Sequence, residues 1–153
     1  MLTVLRLKEY TAELQAAIAE INSAYLVVTR DEVSKFMKEH TDDKNILLLA
    51  ILPEHDVTGK EDSSKVNNML GFYLFEKTDY SEHDHDSYLN IFARTQAAAK
   101  KVVDQLLQDK ANSTGALCGF LNYLDESSIS ITPIKGISGC NGYFVGLSFE
   151  TNM

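Results

Sequence analysis

The densest set of titratable side chains is the run Glu82, His83, Asp84, His85 and Asp86. Interleaved imidazoles and carboxylates can ligate a divalent cation, and His83 and His85 share a face if the segment is extended. The same residues also suit the entrance of a helix, where exposed amide donors and the helix dipole favour acidic groups. His40 and His55 stand near Asp42, Asp43, Glu54 and Asp56. General acid-base chemistry there requires the groups to converge in one pocket, and the plainer expectation is that they are exposed loop residues. The chain has no GxSxG elbow, no GxxxxGK[ST] loop and no GxGxxG turn, so acyl transfer and phosphate cradling have no motif to rest on. Cys118 and Cys140 lie outside any CxxC, with no histidine nearby. A bridge between them is open, and two small semi-buried thiols in a reducing compartment is the simpler expectation. Cys140 falls in the run Gly139, Cys140, Asn141, Gly142, whose composition predicts a hairpin loop.

Around these residues the hydrophobic pattern predicts the elements that would hold them. Leu7, Tyr10, Leu14, Ala17, Ile18 and Ile21 recur at three- and four-residue steps, one stripe of an opening helix. Residues 24–29 (AYLVVT) suit a short strand or an extended connector, and Asp31 and Glu32 can start a second helix through Val33, Phe36 and Met37. Residues 46–52 (ILLLAIL) are apolar throughout and end at Pro53, the pattern of a central strand covered on both faces. Residues 55–68 have almost no large apolar groups, which predicts a long mobile loop. Residues 69–75 (MLGFYLF) resume a strand, with Leu70, Phe72 and Leu74 on one face and Gly71, Tyr73 and Phe75 on the other.

Ser87 is a candidate N-cap for a helix over residues 88–110, packed through Ile91, Thr95, Ala98, Val102 and Leu106. Beyond Asn112 and an apolar patch at 117–124, Ile129 and Ile131 are expected to point inward from one strand, and Val145, Leu147 and Phe149 from the last. The fold class expected is α+β in a single domain over 1–153: a largely antiparallel sheet of about four strands, flanked by two or three helices, closing on a C-terminal β-hairpin. Residues 1–44 would be its helical part and 45–153 its sheet and long helix.

Charge is distributed unevenly. Residues 31–86 carry fourteen acids against six bases, whereas 1–30 and 87–153 are each balanced, so the net charge of -8 belongs to the middle. Such a surface lacks the Lys and Arg cluster that binding to phosphate backbones requires. Residues 1–10 alternate apolar and charged groups and lack the apolar core of a secretory signal. No run approaches the ~20 apolar residues that cross a bilayer, so no membrane partner is expected. Phe72, Tyr73, Phe75, Tyr143, Phe144 and Phe149 fall on strands at period two. Sheet packing accounts for them, or else subunit contact, because strands with large residues on both faces need cover on both.

The order of MLGFYLFEK, an acidic loop, IFARTQAAAKKVVDQLLQDK, LNYLDESSISITPIKG and NGYFVGLSFE resembles small tail-terminator or head-tail connector (neck) proteins of phages, prophages and contractile injection systems. The likeness covers residues 45–151. It implies a virion protein made in the bacterial host cytoplasm, without catalytic residues or cofactor. Such a subunit assembles with itself into a ring, often a hexamer, docks to tail tube, sheath or neck proteins, and meets DNA only as a passing polymer. Its contact residues would be Pro53, Glu54, His55, Asp56, Gly59, Lys60, Glu61 and Asp62 in the long loop, with Tyr143 and Phe144 on the last strand. Two other readings compete: a small cytosolic metal-binding domain or enzyme using the run from Glu82 to Asp86, and a monomeric adaptor whose sheet edge accepts a partner strand.

Overall fold

The computed structural model describes residues 1–28, 30–40, 46–59, 63–78, 85–137 and 139–152. In chain order these form α1 (Val4–Ala17), β1 (Ile21–Val27), α2 (Arg30–Glu39), β2 (Ile46–Thr58), β3 (Lys65–Lys77), α3 (His85–Asn112), β4 (Ser130–Ile137) and β5 (Cys140–Asn152). Two single-turn 3-10 helices, Leu121–Tyr123 and Glu126–Ser128, occupy part of the expected apolar patch and the stretch before β4. The Thr3 hydroxyl accepts from the Arg6 N–H and caps α1, while Leu7, Tyr10 and Leu14 form its buried stripe. Ile21, expected to continue that stripe, instead opens β1.

The fold is α+β, with three helices on one five-stranded sheet in the order β1-β2-β3-β5-β4. Four strands form an antiparallel set closing on the β4–β5 hairpin, but β1 pairs parallel to β2, so the sheet is mixed. The strand or connector expected at 24–29 is β1, which begins at Ile21, so residues 1–44 are not wholly helical and the sheet has a fifth strand. A register shift between Ile21 and Ser23 breaks the alternation at its start. The connection from β1 through α2 to β2 is the crossover that a parallel pair requires.

The predicted loop over 55–68 is mostly strand. β2 continues past Pro53 to Thr58, which pairs with Lys65 at the start of β3. Main-chain pairing holds the β2 half of this extension, where Val57 is well exposed and Glu54 and Asp56 face solvent, whereas the β3 half buries Val66 and Asn68. The chain passes Pro53 through a bulge, because Ile51 faces Gly71 whereas Glu54 already faces Met69. A proline in a strand is tolerated where the ladder is interrupted.

Alternation along β2, β3 and β5 divides the apolar residues between two sides. Ile46, Leu48, Ala50, Leu70, Phe72, Leu74, Val145, Leu147 and Phe149 face α1 and α3 in one large core. Leu47, Leu49, Tyr73, Phe75 and Cys140 face the other way, where Val33 and Phe36 of α2 supply the helical cover. Buried Ala98 and Ala99 let α3 lie close on the first side. This helix opens at His85, ahead of the cap expected at Ser87. Ile129 packs on that core, but Ile131, expected inward, is 41% exposed at the edge strand, where α3 no longer covers the sheet.

Candidate functional site

The second side of the sheet carries the most distinctive surface. Along it run Phe75, Tyr73 and Phe144, with ring centroids 5.1 Å apart for the first pair and 4.9 Å for the second. The strand pairing builds a seat for Phe144. Gly71 and Gly146 are directly opposite each other, and the ring lies across both. A Cβ at Gly71 would stand 2.5 Å from Cε2 of Phe144, and one at Gly146 would stand 3.0 Å from Cε1. Two glycines on adjacent strands thus give the ring a flat floor, which no side chain at either position would leave open.

Tyr25 of β1 stacks on Phe36 of α2, with centroids 4.6 Å apart, so α2 is anchored over the β1 end of the sheet. Between that end and β4 lies a groove of about 440 Å³, lined by Val27, Val33, Ile51, Tyr73, Ile134 and Phe144. Val28, 60% exposed, stands on its rim. Among the described residues Glu54 supplies the one carboxylate, and it is there because of the bulge at Pro53. Without the extra residue, strict alternation would put Glu54 on the helix-covered side; with it, Glu54 follows Ile51 onto the open side.

This settles the positions of the expected contact residues. Pro53, Glu54, His55 and Asp56 lie on a strand, not in a loop, and strand alternation turns His55 away from Glu54 and Asp56. Gly59 takes a positive φ of 104° in the hairpin turn, where a Cβ would stand 2.3 Å from the Ser63 carbonyl oxygen. Lys60, Glu61 and Asp62 lie outside the described residues. Tyr143 and Phe144 part company: Phe144 enters the groove, whereas Tyr143 packs edge-on against Phe92 of α3 under the other side. Tyr73, which the sequence offered for sheet packing or subunit contact, lines the groove, and Ile51 joins it without having been singled out. Their signal was the unbroken apolar character of β2 and β3, which called for a second covering layer.

Of the candidate metal ligands, His83 and Asp84 lie outside the described residues, as does Glu82. His85 and Asp86 are exposed in the first turn of α3. Among the described residues no three His, Cys, Asp or Glu side chains converge as a metal site would require. His40, expected on an exposed loop, is buried at the end of α2, where its N–H donates to the Phe36 carbonyl. Asp42 and Asp43 are outside the described residues. Cys118 is exposed, Cys140 is buried in the second core, and no disulfide joins them.

Three buried polar groups act as internal fasteners. The Tyr10 hydroxyl donates to Oδ2 of Asp109 at 2.9 Å, while Gln105 Nε2 and Thr114 Oγ1 both donate to Oδ1. Burial, and then the negative charge of Asp109, push the Tyr10 pKa far above the usual tyrosine range. Asn68 accepts from the Leu2 N–H and donates to the Val66 and Phe149 carbonyls, tying the N-terminal segment to the hairpin. Arg94 grips Glu76 with two nitrogens, the shortest contact being 2.7 Å, and joins α3 to β3.

The two sheet edges are also unlike. The N–H of Ser148 and its carbonyl both meet the Ser128 hydroxyl, so β5 residues in phase with Ser148 bond toward β4. Pro133 faces Tyr143, which is out of that phase, so its nitrogen points to the free edge. The outer edge of β4 therefore lacks a central donor and is blunted against strand addition.

No protein-family model matches the chain, and no curated protein matches it. No helix among the described residues is long and apolar enough to cross a membrane.

Proposed function

We propose that this protein is a non-enzymatic structural subunit that associates with itself into a ring at the end or neck of a phage tail or a related contractile injection machine. One observation carries the reading: among the described residues the sheet has large apolar side chains on both sides but matched helical cover on only one. The groove of Tyr73, Phe144, Ile51 and Ile134 remains accessible beside α2. An apolar recess of this kind marks a contact surface. Its charge pattern fits a protein surface better than a nucleic acid, since Glu54 stands in it and the stretch 31–86 is acidic. An acidic ring wall would repel DNA and let it slide. Blunting of the β4 edge favours contact through sheet faces over a sheet continued from copy to copy.

Sedimentation velocity and electron microscopy over a wide range of concentration test this. The expected result is a ring, or an oligomer that grows with concentration. A monomer throughout would overturn self-association.

A further inference from the structure

The groove has a counterpart on the same molecule. α1 is apolar on two sides: Leu7, Tyr10 and Leu14 are buried against the sheet, whereas Val4 and Leu5 are 48% and 72% exposed at its outer start, with Met1 beside them at 63%. A helix apolar on two sides calls for cover on both. Val4, Leu5 and Lys8 stand at spacings of three and four, so one stripe of α1 presents two apolar side chains followed by an ammonium, with Met1 in the extended segment before the helix. Lys8 is exposed. The groove offers the reciprocal set, an apolar recess with the carboxylate of Glu54.

We propose that the outer stripe at the start of α1 seats in the groove of a second copy of this chain, with Leu5 and Val4 over Tyr73 and Phe144 and Lys8 facing Glu54. This rests on the self-association reading and names its contact. Knob and recess lie on opposite sides of one sheet, because α1 packs against the core of the first side and the groove opens on the second. A contact between unlike surfaces is heterologous: each copy has one of each to offer, and the chain of copies closes into a ring when the rotation per copy permits. Matching of charge selects the partner orientation, since a groove carrying Glu54 accepts a cationic stripe and opposes an acidic one.

Cysteine cross-linking tests the contact in a Cys118→Ser background, which removes the exposed native thiol. Copies carrying only Leu5→Cys are mixed with copies carrying only Val28→Cys and mildly oxidised. Disulfide dimers are expected in the mixture and not in either variant alone, whereas a chain with both changes gives a ladder of covalent oligomers. Leu5→Glu should raise the half-assembly concentration about tenfold or more, the loss of one buried leucine per contact. Glu54→Lys should weaken assembly, and adding Lys8→Glu to it should restore much of the loss. If wild type forms a ring while the mixed cysteines stay unlinked and Leu5→Glu assembles normally, the contact is wrong and self-association stands. If Leu5→Cys copies link to one another, the interface is isologous and the proposal falls. A wild-type monomer at every concentration overturns both.

Discussion

The two sides of the sheet are built from the same strands yet serve different ends. On the side of α1 and α3, residues from nearly every element close into one core with Phe72, Leu48 and Val102 fully buried. On the side of α2, a ten-residue helix covers the β1 end, and Phe144 lies half-buried over two glycines in an accessible groove. Burial therefore concentrates on one side and the proposed contact surface lies on the other, although the strands' alternation makes the two sides similarly apolar.

The sharpest way to break this contrast is to truncate one ring on each side. Phe72→Ala should destabilise by about 3–5 kcal/mol, the usual loss for a fully buried phenylalanine, measured by denaturant unfolding. Phe144→Ala should lose only about 1–2 kcal/mol because its ring is partly exposed already, and should weaken assembly instead. Equal stability losses would show the second side to be as much a core as the first.

Within the closed side, Asp109→Ala leaves the Tyr10, Gln105 and Thr114 donors without their acceptor and should destabilise by about 1–3 kcal/mol. The Tyr10 phenol also sets an alkaline limit. Its pKa is raised in the folded state, so its contribution is complete below the ordinary tyrosine value of about 10 and is lost as pH rises above it. Tyr10→Phe should flatten the fall in stability across that window, and an unchanged profile would remove the assignment.

On the open side, Gly71→Ala is a gentler probe. The new methyl must push the Phe144 ring aside, for a loss of about 1 kcal/mol, while raising the concentration needed for assembly. The smallest effect is expected at Asp125, which caps the second 3-10 helix. Hydrogen bonds from Ser127 hold its pKa below the usual carboxylate range. Its contribution is present above the ordinary aspartate value and fades as pH falls through the lowered one. Asp125→Asn should slightly reduce acid sensitivity, read by thermal melts at several pH values.

Much of this contrast was legible. The period-3.6 stripe from Ile91 to Leu106 located α3 and its buried side, and the alternation in 69–75 sorted Leu70, Phe72 and Leu74 from Gly71, Tyr73 and Phe75 as observed. These patterns are local, so each reports its own element. The hairpin extension was not legible, because among Glu54 to Thr58 and Lys65 to Asn67 Val66 alone is buried, so main-chain bonds pair the strands and the side chains leave no repeating pattern. Nor could the groove be read, since it depends on the bulge at Pro53 and on two glycines meeting across strands some seventy-five residues apart in sequence.

The amino-acid order by itself determined which side chains prefer to leave water and at what repeat: the stripes of α1 and α3, the doubly apolar β2 and β3, and the acidic middle of the chain. Only the tertiary structure decided which apolar side received two helices and which received one, that Tyr143 is covered while Phe144 lines a groove, and that β1 joins the sheet in parallel. The physical reason is that solvent aversion belongs to a residue, whereas cover depends on what distant segments bring to it, and that choice is made only when the sheet assembles and the helices dock.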